Sequence, residues 1–367
     1  MHEPHAEERV AARGARWPGP DVKMPVVAAI VCNYNQKAYV EAAIASVARQ
    51  TYPYLECVVV DDCSSDGSAE VIARALAAHG GRPFRFIQHP ENRGQMAAML
   101  SGLDATTAPF VAWIDADDIW FPEYIERHVA HHLNSQVNAA ISTSNMAVID
   151  GEGTLIGGAD PSMSISSPMR KWERVFSVTP ARLLQHGKEP DFGGNGPPGP
   201  VFINRHYEAW VWSPTSGMVF RTAAVSAIRP LSTEGLRICA DHYLARFAHV
   251  VGGTIWIGET LGCYRVHGTN GFAKRTVHGD GALGTEPKRI TTEGNYQFAL
   301  KLEKSEVLAK LLAEQHVARL AVEIGRGPRA IRKVLANETF RRRLRFKQRF
   351  RLWRRYIASL LRLPGYI

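Results

Sequence analysis

The chain has 367 residues, of which 45% are hydrophobic and 22% charged, a composition typical of one large globular domain or two smaller ones. Its formal net charge is +9, but residues 341–367 contain ten basic and no acidic residues, so the first 340 residues are close to neutral. This distribution argues against a nucleic-acid-binding surface spread over the whole protein.

The sequence carries no mark of a membrane span or of secretion. No apolar run reaches the roughly 18 residues that a span requires, and the first residues lack the apolar core of a signal peptide. The five cysteines form no CxxC pair, and their odd number is typical of reduced thiols. We therefore expect a cytoplasmic protein.

Short apolar segments alternate with amphipathic ones after a polar tail, residues 1–24, that we expect to be disordered. The patterns predict strands at residues 26–31, 55–60, 84–87 and 110–114, and helices at residues 39–50, 68–79, 95–105 and 123–133. This alternation predicts an α/β fold with a mostly parallel central sheet and helices on both faces.

The alternation of strands and helices stops over residues 150–212. Within this stretch, residues 187–200 are rich in Gly and Pro and predict a loop. Further strands are predicted at residues 218–220 and 254–257, and helices at 240–249 and 305–336. We divide the chain into residues 25–135, 136–275 and a helical C-terminal region, 276–367.

Polar clusters follow the predicted strands of the first half, and ligands of such sheets bind beyond the carboxyl ends of the strands. The clusters are residues 33–35, 61–67, 92–94 and 115–118. In the last, Asp115, Asp117 and Asp118 repel one another unless a cation neutralises them. Mg²⁺ and Mn²⁺ prefer oxygen ligands and are often shared with substrate phosphates, so a metal holding a diphosphate is predicted. The alternative for this cluster is a solvated turn with a helix N-cap.

Two common nucleotide-binding classes do not fit. The sequence contains no GxxxxGK[ST] loop and no GxGxxG motif after the first strand. The sequence therefore excludes a P-loop enzyme and argues against a dinucleotide-binding Rossmann domain.

Together the clusters resemble the nucleotide-sugar-binding half of a family 2 glycosyltransferase with the GT-A (Rossmann-like) fold. The resemblance covers residues 25–135 and is carried by five segments in the expected order: residues 31–35 (VCNYN), 46–52 (SVARQTY), 60–67 (VDDCSSDG), 92–95 (NRGQ) and 115–118 (DADD). One departure is the segment Ala98-Met99-Leu100, where many members have Ala-Arg-Asn.

The resemblance implies roles for the strand-end residues in binding a nucleotide-diphosphate sugar. Asp62 would hydrogen-bond the base, with Asn33 and Asn35 lining the same pocket and Asp61 supporting it. Arg93 would approach the diphosphate, with an ordinary surface arginine as the alternative.

The acidic cluster corresponds to the DxD pair of the family. Asp117 would ligate Mg²⁺ or Mn²⁺, and Asp115 would contact the ribose or the metal. Asp118 would serve only as a helix cap.

The second half resembles the acceptor side of the family more loosely. Residues 212–221 match its acceptor-side strand and include Ser216 and Gly217 as expected acceptor or phosphate contacts. Asp241 matches the general base of inverting members, although Ala240 replaces the Glu that usually precedes it. A positioned carboxylate is needed because a sugar hydroxyl is a poor nucleophile. The alternative for Asp241 is a helix N-cap.

Residues 264–270 (YRVHGTN) resemble the Tyr-Arg-x-His segment that closes many such domains. In this segment His267 would ligate the metal or contact the diphosphate, and Arg265 would neutralise phosphate charge. Outside the motifs, we expect His128, His131 and His132 to form a solvated helix face and Trp210 to pack, with a shelf for an acceptor sugar as its alternative.

The basic tail predicts one helix over residues 340–363. Its apolar positions, spaced by three and four, are Phe346, Phe350, Trp353, Ile357, Leu360 and Leu361. Such a helix suits an anionic membrane surface. The alternatives are a helix docked on the body or on a partner, and the weaker case of nucleic acid, which we do not expect as a partner.

These features predict an inverting, metal-assisted glycosyltransferase on the inner face of the membrane. It would use a nucleotide-diphosphate sugar, expected to be UDP-linked, and a glycan or lipid-linked acceptor. The alternatives are a sugar nucleotidyltransferase and a degenerate, non-catalytic binding module.

Overall fold

A computed structural model describes residues 23–79, 83–158, 200–205, 210–268, 270, 288–305 and 307–308, together with positions 346, 349, 350, 353, 354 and 357 of the basic tail. Residues 1–22 of the tail predicted at 1–24, most of the loop predicted at 187–200 and residues 309–336 of the helix predicted at 305–336 lie outside the described residues.

The first half alternates strands and helices as predicted. The elements are β1 (Val27–Asn33), α1 (Val40–Ala48), β2 (Leu55–Asp61), α2 (Ser68–Ala78), β3 (Phe84–Gln88), α3 (Gln95–Asp104) and β4 (Phe110–Asp115). The four strands are parallel in the order β3-β2-β1-β4. Because β1, β2 and β4 are apolar runs covered on both faces, they carry almost no polar side chains until their last residues.

The strands after β4 extend the same sheet. The remaining elements are β5 (Ile119–Trp120), α4 (Tyr124–Asn134), β6 (Ile141–Asp150), β7 (Leu155–Gly157), β8 (Val201–Ile203), β9 (Met218–Arg221), α5 (Thr222–Ile228), α6 (Ala240–Gly252), β10 (Thr254–Val266) and α7 (Lys288–Lys304). The described strands form one mixed sheet in the order β3-β2-β1-β4-β9-β6-β10-β5, with β7 on β6 and β8 on β10. The α/β fold class is confirmed, and the two predicted halves share one sheet.

Side chains of alternating direction feed a core on each face of the sheet. In β1, Ala28 and Ile30 join the layer that includes α3, α5 and α6, whereas Val27, Ala29 and Val31 join the layer that includes α1, α2 and α4. Helices therefore cover both faces, as predicted. Helix α7, which lies in the C-terminal region that was predicted to be helical, packs on α6 through stacked Phe247 and Phe298 rings 3.9 Å apart.

Strand β10 is much longer than the predicted strand at residues 254–257. Register shifts between Ile257 and Thr260, and between Thr260 and Cys263, mark bulges in its pairing with β6. Beyond the bulges β10 also pairs with β5, which directly follows the acidic cluster. The bulged strand thus carries Arg265 to that cluster.

The expectation that the α4 histidines form a solvated face is wrong for two of the three. His128 and His132 are 0% and 2% exposed because α4 lays this face on the sheet. His128 Nδ1 lies 2.7 Å from Ser142 Oγ of β6. His131 is partly exposed, and its Nε2 lies 3.8 Å from Glu259 Oε1.

Candidate active site

The ends of β1 and β2 are joined by a buried amide–carboxylate pair. Asn33 and Asp61 are paired in the sheet register, and Asn33 Nδ2 donates to Asp61 Oδ1 over 2.7 Å. The Ser64 hydroxyl donates to the same oxygen over 2.5 Å. Asn33 Oδ1 is buried and has no hydrogen-bond partner among the described residues. The pocket predicted at Asn33 therefore contains an unused acceptor.

Asn35 is exposed in the loop after β1 and adopts a left-handed conformation with φ 54°. Its main-chain N–H donates to Ser64 Oγ, and its Oδ1 accepts from Ser65 N–H, both over 2.8 Å. A groove of about 560 Å³ runs beside this loop and is lined by Asn35, Tyr39 and Asp66 among others.

Asp62 is buried and holds the loop after β3. Its Oδ1 accepts from Arg93 N–H over 2.9 Å and its Oδ2 from Gly94 N–H over 2.7 Å. His89 Nδ1 lies 2.6 Å from Oδ1. The Arg93 side chain is exposed. All these partners of Asp62 are protein groups, so its contact with a nucleotide base stays a prediction.

The acidic cluster forms the turn between β4 and β5. Asp118 is 1% exposed, accepting from the Ser216 hydroxyl over 2.6 Å and from Arg265 N–H over 2.9 Å. Ser216 Oγ also accepts from Asp115 N–H over 3.0 Å. Burial, followed by the charges of Asp117 and Asp115, raises the pKa of Asp118 well above its usual range. Asp118 is therefore the buried anchor of the turn.

Asp117 faces the segment that follows β10. Its Oδ2 lies 3.0 Å from His267 Nε2 and accepts from Asn270 Nδ2 over 3.2 Å. The side chains of Asp117 and His267 are 13% and 6% exposed. The structure thus joins two of the three residues that were predicted as metal ligands.

Arg265 binds main-chain oxygens around this turn. Its Nε donates to the Asp117 carbonyl over 2.8 Å, and its Nη1 donates to the carbonyls of Asp150 and Gly151 over 3.1 and 3.3 Å. The guanidinium carbon lies 4.8 Å from the ring centre of Tyr39. This geometry favours a positioning role, and the predicted phosphate contact remains untested.

Asp115 is within electrostatic reach of Asp241. Removal from water raises the pKa of Asp115 to about 8, and the charges of Asp117 and then Asp241 add to the shift. Gln95 links the two sides, since its Nε2 donates to Asp115 Oδ1 over 3.3 Å and its Oε1 accepts from Ala240 N–H over 3.0 Å. The structure therefore brings the predicted DxD pair and the predicted base into one site.

The structure rules out two helix-cap roles that the sequence suggested. Asp241 is not a helix N-cap, because the N-cap of α6 is Cys239 and Asp241 lies in the first helical turn. Asp118 is not a helix cap either, because it precedes β5 and α4 begins only at Tyr124. Ser216, which was predicted to contact acceptor or phosphate, is 0% exposed and its hydroxyl holds the acidic turn, so the substrate contact stays a prediction.

Gly217 is also buried, and its role is close packing. A Cβ at this position would lie 2.5 Å from Ser213 Cβ and 3.2 Å from the Ser144 carbonyl oxygen. Any side chain here would push the 3₁₀ turn Thr215–Gly217, which carries Ser216, away from β6.

A divalent cation fits this site in the way that substrate-bound Mg²⁺ usually does. Within the part of the chain that the structure describes, no group of three or more His, Cys, Asp or Glu side chains forms a site for a metal ion. Mg²⁺ commonly uses only one or two protein carboxylates and takes its other ligands from phosphates and water. Asp117, with Asp115 beside it, meets that requirement.

Sequence reasoning missed several residues that shape the site: Gln95, His89, Asn270 and Tyr39. Gln95 and Asn270 lie inside the two motif segments at residues 92–95 and 264–270, so their position in the sequence was available as a signal. Their partners were not, because Asn270 bonds to a residue 153 positions earlier and Gln95 to one 145 positions later.

Comparison with known proteins agrees with this geometry. Residues 28–180 match the family model described as Glycosyl transferase family 2. An uncharacterized glycosyltransferase of Nostoc sp. is 30% identical over 244 residues, which is 66% of each chain. A putative teichuronic acid biosynthesis glycosyltransferase of Bacillus subtilis is 27% identical over 130 residues, 35% of this chain and 50% of the relative. The matches thus span less than two thirds of these relatives.

Solved structures show the same fold. TarS 1–349 of S. aureus in complex with UDP superposes with a TM-score of 0.50 at 13% identity, covering 92% of this chain and 91% of the other. The same fragment in complex with UDP-GlcNAc has a TM-score of 0.50 at 16% identity, with 91% and 81% covered. The class defined by fold and site is that of GT-A glycosyltransferases. Within this class, the chain belongs to glycosyl transferase family 2.

In the described ranges, no helix is both long and apolar enough to cross a bilayer.

Proposed function

We propose that the protein transfers a sugar from a nucleotide-diphosphate donor to a hydroxyl group of a glycan or lipid-linked acceptor, with inversion at the anomeric carbon. The observation that carries this proposal is the meeting of the acidic turn with the first turn of α6. Asp115 and Asp117 provide a site for the diphosphate end of a donor, and Asp241 provides a carboxylate near enough to act electrostatically on Asp115.

The nucleotide end of the donor would bind along the ends of β1 and β2. The unpartnered Oδ1 of Asn33 is an acceptor for a base N–H, and Asp61 fixes the amide that carries it. Asn35 and Asp62 complete this pocket, and the exposed Arg93 side chain is free to approach a phosphate. A UDP-linked donor is favoured because relatives of the same fold bind UDP and UDP-GlcNAc.

Asp117 and Asp115 would hold Mg²⁺ or Mn²⁺ together with the donor phosphates, and His267 stands beside Asp117. A bound cation would stabilise the charge that develops on the leaving diphosphate. Asn270 Nδ2, which donates to the Asp117 carboxylate, and the Arg265 guanidinium, which donates to the Asp117 main-chain carbonyl, hold Asp117 in place for this role.

Asp241 would act as general base. The acceptor oxygen bonds to the anomeric carbon while the bond from that carbon to the diphosphate oxygen breaks. The hydroxyl proton passes to the Asp241 carboxylate, and the bonding electrons leave with the nucleoside diphosphate. Displacement from the opposite face inverts the anomeric configuration. A base of this kind contributes about 10²–10⁴-fold to the rate.

The acceptor class follows from the relatives rather than from the site. One similar protein carries a name from teichuronic acid biosynthesis. We therefore propose a role in building a cell-surface polysaccharide.

A donor panel tests the proposed function. UDP-, GDP- and dTDP-sugars are incubated with the protein and Mn²⁺, and release of the nucleoside diphosphate is measured. We expect release from a UDP-sugar, loss of it in Asp117→Ala, and retention in Asp104→Ala, which removes a surface ion pair with Arg229. Release of nucleoside triphosphate on adding pyrophosphate would instead identify a nucleotidyltransferase. Donor binding without turnover across the panel would favour the binding module.

We also propose that the basic tail holds the protein on the inner face of the membrane as a peripheral protein. The described tail positions are helical and present exposed aromatic side chains: Phe346 is 81%, Phe350 50% and Trp353 53% exposed. Successive rings lie 6.4 Å apart, so they form one stripe. Aromatic residues beside many basic ones suit an anionic lipid interface.

Vesicle co-sedimentation tests this location. We expect binding to vesicles that contain anionic lipid, weaker binding to zwitterionic vesicles, and loss of binding after truncation behind Asn337 or in a Phe346→Ser, Phe350→Ser, Trp353→Ser variant. Phe202→Ser changes an exposed aromatic residue on β8 and serves as control. Equal sedimentation of all variants would exclude the tail as the anchor.

A further inference from the structure

Gln95, the first residue of α3, links parts of the chain that meet at the active site. Its main-chain N–H donates to the Arg237 carbonyl over 2.8 Å. Its side-chain Oε1 accepts from Ala240 N–H over 3.0 Å, and its Nε2 donates to Asp115 Oδ1 over 3.3 Å. One amide group therefore bridges the acidic turn and the start of α6.

The bond to Ala240 acts where α6 most needs a partner. The first N–H groups of a helix have no acceptor within the helix. Ala240 is the first residue of α6 and Gln95 supplies its acceptor from 145 residues away. Asp241 is the next residue, so the position of its backbone depends on this contact.

The backbone that leads into Gln95 is held in place by close contacts with the segment before α6. Gly94 has φ +88°, and a Cβ there would lie 2.7 Å from the Cα of Arg237. The Arg237 guanidinium donates back to the Asn92 carbonyl over 2.9 Å. Segment 92–95 and the residues before α6 are thus locked together at several points.

We propose that Gln95 is the positioning residue that sets the Asp241 carboxylate against the donor site. This inference rests on the proposed transfer function and adds to it a residue that touches neither sugar nor phosphate. Asp115 has a second support, because its main-chain N–H is held by Ser216 Oγ. Loss of the Gln95 amide therefore weakens the placement of Asp241 more than the binding of donor at the acidic turn.

Gln95→Met tests the proposal, because it keeps the size of the side chain and removes both hydrogen bonds. Gln297→Met is a matched control. Gln297 makes the same kind of bridge, accepting from Ser232 N–H over 3.2 Å and donating to Glu293 Oε1 over 2.9 Å, and it lies on α7. The readouts are the Kd of UDP with Mn²⁺, the turnover number for UDP-sugar hydrolysis and the melting temperature.

We expect Gln95→Met to lower turnover about 10- to 100-fold, the effect of a small misplacement of a catalytic group, while the Kd of UDP changes less than about threefold. Gln297→Met should lower the melting temperature comparably and leave turnover unchanged. Unchanged turnover in Gln95→Met, or a parallel loss of UDP binding and turnover, would overturn the proposal. Absence of hydrolysis in the wild type would instead count against the proposed function, so the two failures are distinguishable.

Discussion

Replacing Ser216 with Ala tests whether this residue holds the acidic turn or contacts substrate. The side chain is fully buried, accepts from Asp115 N–H over 3.0 Å and donates to Asp118 Oδ2 over 2.6 Å. Alanine fits the space but leaves both groups without this partner. Each buried group that loses its partner costs about 1–3 kcal/mol, so we expect the variant to lose about 2–6 kcal/mol of unfolding free energy.

The same change should loosen the turn that carries Asp115 and Asp117, and we expect the Kd of UDP with Mn²⁺ to rise about tenfold or more, in line with losses seen when groups behind metal ligands are removed. Urea unfolding and calorimetric titration measure the two effects. Ser142→Ala is the matched control, since Ser142 is equally buried but bonds to His128 of α4 and not to the acidic turn. It should lose stability and keep UDP affinity. A Ser216→Ala variant with wild-type stability would refute the reasoning.

Three further outcomes follow. Burial, and then the charge of Arg221, lowers the pKa of His132 to about 3. Below pH 6.5 the unfolded chain therefore binds a proton that the folded protein does not, and the free energy of unfolding decreases as the pH is lowered. His132→Phe should flatten urea-derived stability between pH 6 and 4 by about 1.4 kcal/mol per pH unit; an unchanged slope would show that His132 is not neutral in the fold. Gly94→Ala combines φ +88° with a clash against Arg237, and should lower the melting temperature more than Gly153→Ala, which has φ +89° but whose Cβ would meet only Arg265 Nη1, at an ordinary contact distance of 3.7 Å; equal losses would show that the approach to Arg237 is not tight. Asp117→Asn should weaken Mn²⁺ binding in the presence of UDP at least about tenfold by calorimetry, and wild-type affinity would remove Asp117 from the metal site.

The first half of the fold was predictable because its buried strands consist of apolar residues that end abruptly in polar ones. Strand β6 was missed for the opposite reason. Its first residues include Ser142, Thr143 and Asn145, which would usually indicate an exposed segment. They are accommodated because each finds a partner elsewhere in the fold: His128, Ser213 N–H and Thr260. Buried polar side chains are tolerated once they are hydrogen-bonded, and those partners are distant in sequence.

For the candidate site too, the sequence could locate residues but could not give their contacts. Asp115, Asp117, Asp62 and Asn33 could be chosen because strand ends of this sheet class meet at one edge. The distinction between residues that face a ligand and residues that hold them could not be made. Ser216, for example, lies in the matched segment 212–221 but is buried beneath the turn, where its hydroxyl donates to Asp118 and its carbonyl oxygen accepts from Trp120 Nε1 over 2.6 Å.

The most direct test of the account is the turnover of Asp241→Asn on the UDP-sugar that the wild type uses, with the Kd of UDP and Mn²⁺ measured on the same sample. The substitution keeps the size of the side chain and removes the proton acceptor. We predict that turnover falls about 10²–10⁴-fold while the Kd stays within about twofold. Turnover equal to that of the wild type, with folding intact, would contradict the assignment of Asp241 as the base and with it the proposed mechanism.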